Sequence, residues 1–221
     1  EGLNATIAAT ISSAPTDGPL VLTLSNGATV TFEVGGPTTV NSTSFLVQTE
    51  DVYKDAGSYP VSVASHTGGA EFENLVLSDT STVTVPDTTN DTTVTLGDVT
   101  QAEGWNATIA ATISSAPTAG PLVLTLSNGA TVTFEVGGPT TVNSTSFLVQ
   151  TEDVYLDAGS YPVSVVSHTG GAEFENLVTT DISTVTVNDT TDATTVTLGD
   201  VTQSEGLNAT IAATISSAPT D

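Results

Sequence analysis

The chain has 221 residues and carries 25 acidic side chains against one lysine or arginine, a formal charge of -24. Such a surface lacks the basic footprint of a nucleic-acid binder and repels anionic membranes. With no cysteine there is neither a disulfide nor a thiolate metal site, and no apolar run approaches the roughly 20 residues of a membrane span, so no membrane insertion is expected of this segment.

The phrase NATIAATISSAPT returns at Asn4, Asn106 and Asn208, a period of 102 residues. Residues 1–102 and 103–204 differ at eleven positions, and 205–221 repeat 1–17 unchanged. A period of this length is that of a whole domain with its own core. The reading is a tandem array: a first repeat over 1–87 lacking its first strand, a complete repeat over 92–189, and the opening strands of a third over 193–221.

Strand periodicity begins at Leu20, Leu22 and Leu24, which alternate with Val21 and Thr23. It resumes at Val30, Phe32 and Val34. Between the two runs, Asn26-Gly27 is a strong hairpin signal, a pair that tolerates positive φ. In the complete copy the spacing predicts seven strands, over 94–101, 106–115, 121–126, 131–136, 140–150, 160–167 and 178–187. Trp105 is in phase with Ala107, Ile109 and Ala111 and is expected in the core, which argues against an aromatic platform for glycan or ice. Thr and Val abound while Lys, Arg and Met are nearly absent. The expected class is all-β, with immunoglobulin-like β-sandwich modules of about 102 residues arranged end to end.

If successive strands cross the sandwich from end to end, the turn at Glu103-Gly104, the Asn128-Gly129 hairpin, the loop 151–157 and the exit segment 188–192 share one pole. Glu103, Glu152, Asp153, Asp157, Asp189 and Asp192 would then crowd together, each close pair repelling by roughly 1 kcal/mol in water and about 4 at an effective dielectric of 20. Lys54, the one basic side chain, cannot offset them. A cluster of hard oxygen ligands with flexible geometry selects Ca2+ over Mg2+. The same positions in the first repeat are Glu1, Glu50, Asp51, Asp55 and Asp87, with Asp91 in its linker. Glu173 and Glu175, at the opposite pole of the second repeat, are further candidates facing the preceding linker.

An Ala-Glu-Gly turn (102–104), LTLSNGAT (124–131), EDVY-x-DAGS (152–160), GGAEFENL (170–177) and the DTT linker together resemble the extender repeats of giant RTX adhesins of Gram-negative bacteria. The acidic loop with its Tyr is similar to that of Calx-β domains. The resemblance covers essentially the whole repeat. It implies a cell-surface, extracellular protein in which calcium-bound tandem sandwiches hold an adhesive tip away from the cell, supporting attachment and biofilm formation. Residue by residue, it points to Glu1, Glu103 and Glu205 in the Glu-Gly turn, Asp51 and Asp153 in the acidic loop, and Asp87 and Asp189 in the linkers. The family loop commonly starts with paired Asp, where this chain has Glu50-Asp51 and Glu152-Asp153.

No enzyme is expected. The two histidines, His66 and His168, occupy one repeat position in Ser-His-Thr, and a triad has no second base or cysteine to draw on. Expected partners are neighbouring repeats of the same chain and calcium ions. The alternative is a fibre subunit that self-associates head to tail, because the first repeat lacks the strand that Val94 to Thr100 supply to the second.

Overall fold

The computed structural model describes residues 1–220. They form two units, Glu1–Asp91 with Glu173–Asn176, and Thr92–Ala172 with Leu177–Asp221. The first contains β1 (Asn4–Ala5), β2 (Ala8–Thr10), β3 (Leu20–Leu24), β4 (Thr29–Phe32), β5 (Thr39–Asn41), β6 (Phe45–Leu46), β7 (Gly57–Thr67) and β8 (Thr80–Val85). From β9 (Asp91–Leu96) the chain continues through β10 (Val99–Ala102), β11 (Asn106–Ala107), β12 (Ala110–Ile113), β13 (Leu122–Leu126) and β14 (Thr131–Phe134). Then follow β15 (Thr141–Asn143), β16 (Phe147–Leu148), β17 (Gly159–Thr169), β18 (Asn176–Val178), β19 (Ile182–Asn188), β20 (Val196–Leu198) and β21 (Ala213–Ile215). No helix among the described residues is long and apolar enough to cross a membrane.

The second unit is an all-β sandwich of a five-stranded sheet, β10-β19-β17-β13-β14, and a four-stranded sheet, β15-β12-β9-β18. Alternation fills the space between them. Leu122, Leu124, Leu126, Val132, Phe134 and Val163 of one sheet, and Val94, Ile109, Ala111 and Ile113 from the side of the other, are all buried. The first unit repeats the larger sheet as β4-β3-β7-β8, around a core of Leu20, Leu22, Leu24, Val30 and Phe32.

Four of the seven expected strands are broken, each where a side chain competes for the backbone. The strand expected over 94–101 splits into β9 and β10 at Gly97-Asp98. There Thr184 N donates to Asp98 Oδ1 at 2.7 Å, Ser183 Oγ donates to Gly97 O at 2.7 Å, and the chain passes from one sheet to the other. The strands expected over 106–115 and 140–150 are interrupted together. Buried Ser144 takes Ile109 N on its Oγ at 2.9 Å and donates that hydroxyl to Thr145 O, opening a gap between the β11–β16 and β12–β15 ladders. The strand expected over 178–187 becomes β18 and β19. Leu96 N donates to Asp181 Oδ2 between them.

One further expectation is corrected. Trp105 is not in the core but 65% exposed. Gly104, at φ +73°, turns the backbone before β11, so the buried place falls to Glu103. The expected Asn-Gly hairpins form, β3 pairing with β4 and β13 with β14, and among the described residues only glycines have positive φ. Gly27 N donates to Leu24 O at 2.9 Å, Gly27 alone takes φ +84°, and Leu24 N donates to Ala28 O at 2.8 Å. That is a type I turn closed by a glycine bulge, with Asn26 Oδ1 accepting from Ala28 N.

Candidate metal centre

Strand register dictates which acids meet. β10 runs parallel to β19 and pairs Ala102 with Asn188, so the next residues, Glu103 and Asp189, leave the sheet at the same end. β17 runs antiparallel to β19 and pairs Gly159 with Val187, which brings the residue two before it, Asp157, to that end as well. Carboxylate oxygens of Glu103, Asp157 and Asp189 lie within 4.8 Å of one another, and Glu1, Asp55 and Asp87 form the same group in the first unit.

The backbone holds the cluster in place. Glu103 N donates to Asn188 O at 3.0 Å, Gly104 N donates to Gln150 O at 2.9 Å, and Asp157 N donates to Asp189 Oδ1 at 3.2 Å. Gln150 Nε2 donates to Asp157 Oδ2 at 2.5 Å. Glu103 is fully buried. Its Oε1 accepts from Thr190 N at 2.9 Å, while Oε2 has no hydrogen-bond partner. In the first unit both carboxylate oxygens of buried Glu1 lack one.

Crowding raises Glu1, Asp157 and Glu152. The Asp55 carboxyl group beside it, burial and the charge of Asp87 raise Glu1 from 4.5 to about 7. Burial, followed by the charges of Asp153, Glu103 and Asp189, holds Asp157 above the ordinary carboxylate range. Glu152 is drawn down by the Thr190 hydroxyl, but a hydrogen bond shared with Asp192, burial and the nearby charges outweigh this and leave it raised.

A pH dependence follows for the cation-free protein. A group whose folded pKa exceeds its unfolded value contributes stability that is complete below the unfolded value and lost as pH rises through the folded one. In chelator, the unfolding midpoint should fall between about pH 4.5 and 7, the interval spanned by Glu1, and Asp55→Asn should flatten the slope. Thermal melts across that interval test this, and a midpoint that rises with pH would contradict the assignment.

The other candidate acids lie around the two groups. Asp51 and Asp153 each accept the backbone N–H two residues on, from Tyr53 and Tyr155, at 2.7 and 2.8 Å. Glu152 and Asp192 meet at Thr190, whose hydroxyl lies 2.5 Å from Glu152 Oε1 and 3.2 Å from Asp192 Oδ2. At the matching place in the first unit, Asn90 stands where the second repeat has Asp192. Its amide and the Thr88 hydroxyl both bond to Glu50.

The first unit also takes in Glu173–Asn176. Asn90 N donates to Glu175 Oε2 at 2.5 Å, Asn176 Nδ2 donates to Asp91 Oδ1 at 2.6 Å, Lys54 N donates to Glu173 O at 2.8 Å, and Phe174 stacks on Tyr53 at 5.6 Å. Glu173 Oε1 and Glu175 Oε1 are buried without hydrogen-bond partners. Glu205 is exposed and belongs to neither group.

Sequence reasoning missed the neutral members: Gln48 and Gln150, which orient Asp55 and Asp157, and Thr88, Thr190 and Asn90. Only their recurrence at one repeat position, or the Asn90/Asp192 exchange, marks them in the sequence.

No curated protein matches the chain. The LapA domain model matches residues 1–88 and again residues 90–190, one match for each repeat. The chain therefore belongs to the LapA domain family of adhesin repeats.

Proposed function

We propose that this chain is a structural extender of a large bacterial cell-surface adhesin, an extracellular spacer whose joints are stiffened by calcium so that an adhesive tip is held out for attachment and biofilm formation. The observation that carries the reading is Glu103, a fully buried carboxylate with one oxygen lacking a hydrogen-bond partner, aimed at Asp157 and Asp189 and repeated in Glu1, Asp55 and Asp87. A buried acid without a partner is costly unless it is protonated or meets a cation. All of the donors are hard oxygens in loops and turns, which suits the large, irregular coordination shell of calcium better than the strict octahedron of magnesium.

The three acids come from the start of a repeat, its acidic loop and its exit segment. A cation joining them would tie the linker to the body of the sandwich. The Calx-β-like character of the acidic loop belongs to this proposal. So does a role without catalysis: His66 and His168 are exposed, and each Nδ1 lies 3.3 Å from the carbonyl oxygen of the glycine two residues on.

Small-angle scattering of the chain in calcium and then in excess chelator tests the reading. Calcium should lengthen the particle and narrow its distance distribution. Identical curves under both conditions would remove calcium from the mechanism.

A further inference from the structure

Asparagine followed by glycine is the pair most prone to lose its side-chain amide, because glycine has no Cβ to shield the nitrogen that attacks it. The chain holds this pair twice at one repeat position, Asn26-Gly27 and Asn128-Gly129. Every other asparagine precedes Ala, Ser, Leu or Asp.

The reaction is intramolecular. The glycine backbone nitrogen attacks Cγ of the asparagine, the Cγ–Nδ2 bond breaks, and ammonia leaves with the proton that the glycine nitrogen gives up. Water then opens the cyclic imide at either carbonyl. One product is aspartate; the other is isoaspartate, in which the main chain runs through the side-chain carbon.

The folded turn blocks each requirement. Gly129 N donates to Leu126 O at 2.9 Å, as Gly27 N does to Leu24 O, so the proton that must leave is held. Asn128 is the third residue of a type I turn, where ψ is about 0°. Closing the ring needs the Gly129 nitrogen swung round to eclipse Cβ, while Asn128 Oδ1 is tied to Ala130 N at 3.1 Å and Asn26 Oδ1 to Ala28 N at 3.2 Å. Nδ2 of both asparagines is buried without a hydrogen-bond partner, shielded from the solvent that takes up the ammonia.

We propose that Asn26 and Asn128 are modification sites that only unfolding opens, so that a repeat whose hairpin stays open is converted irreversibly and does not regain its fold. Neither product fits the turn. Isoaspartate lengthens the main chain between Leu126 and Ala130, which are joined by a bond from Leu126 N to Ala130 O at 2.8 Å. Ala130 and Val132 just beyond are buried, so a shift in register displaces them from the core. Aspartate keeps the length of the chain but sets a carboxylate oxygen where the buried Nδ2 lay, with no donor to meet it.

The test holds the 221-residue chain at mildly alkaline pH, in buffer and in guanidinium chloride, and follows the change in mass at each asparagine by peptide mass spectrometry. Conversion at Asn26 and Asn128 should be at least about a hundredfold slower in buffer, because the small unfolded fraction sets the rate there. After conversion in denaturant, dilution into buffer should fail to restore the circular dichroism and melting midpoint of the unexposed chain. The chain carrying Asn26→Gln and Asn128→Gln, whose longer side chains close the ring far more slowly, should regain its own starting values after the same exposure. Equal rates in the two solutions overturn the proposal, as does full refolding of the converted chain. A Gln variant that loses refolding as the parent does would overturn it as well.

Discussion

Saturating calcium should raise the unfolding midpoint of this chain by about 10 °C or more at neutral pH, and Asp55→Asn with Asp157→Asn should abolish most of that rise. A ligand at a hundred times its dissociation constant stabilises the folded state by about 2.7 kcal/mol, and each kcal/mol moves the midpoint of a domain this size by roughly 4–8 °C. The two aspartates are the most exposed members of their groups, so their loss removes ligand charge without opening the core. In chelator the variant should melt no lower than the parent, because two repelling charges have gone. Opposite signs in the two buffers separate a cation site from a structural role. Calorimetry that shows equal melting of the parent with and without calcium would leave the acids as solvated surface.

Gly170→Ala should destabilise the second unit by about 3 kcal/mol or more, and Gly129→Ala by only about 1–2. Both glycines sit at φ +84°, so both substitutions bear the left-handed backbone penalty. They differ in room: a Cβ at Gly170 would lie 2.2 Å from Pro121 O, a backbone atom, whereas one at Gly129 meets nothing within 4 Å. Forcing Pro121 away would disturb the next residue, Leu122, which opens β13 and is fully buried. Urea titration of both variants measures the difference, and equal midpoints would show that the Pro121 segment moves freely.

Much of the sandwich was legible because period-two alternation at Leu122, Leu124 and Leu126, or Val132 and Phe134, has one structural reading. The interruptions were not legible. Asp98, Ser144 and Asp181 break strands by hydrogen-bonding to backbone groups distant in sequence, and alternation carries no trace of a partner 35 to 86 residues away. Trp105 failed for a related reason: counting in steps of two assumes that the strand continues, and Gly104 ends it.

The acids of the candidate centre were legible for a topological reason. Strand switching at Gly97-Asp98 changes the sheet without reversing the chain, so Glu103 still arrives beside Asp189. The division of labour among the acids was not, because whether a carboxylate faces its neighbours or caps its own loop, as Asp153 does for Tyr155, depends on side-chain direction.

The parallel pairing of β10 with β19 has a mechanical consequence. A pull that reaches β10 from ahead of Val99 and β19 from beyond Asn188 draws these two strands in opposite directions along their own length. The four residue pairs from Val99–Val185 to Ala102–Asn188 are then loaded in shear, all at once, rather than peeled one by one. Separating these two strands along their length therefore requires the whole ladder to slip at once.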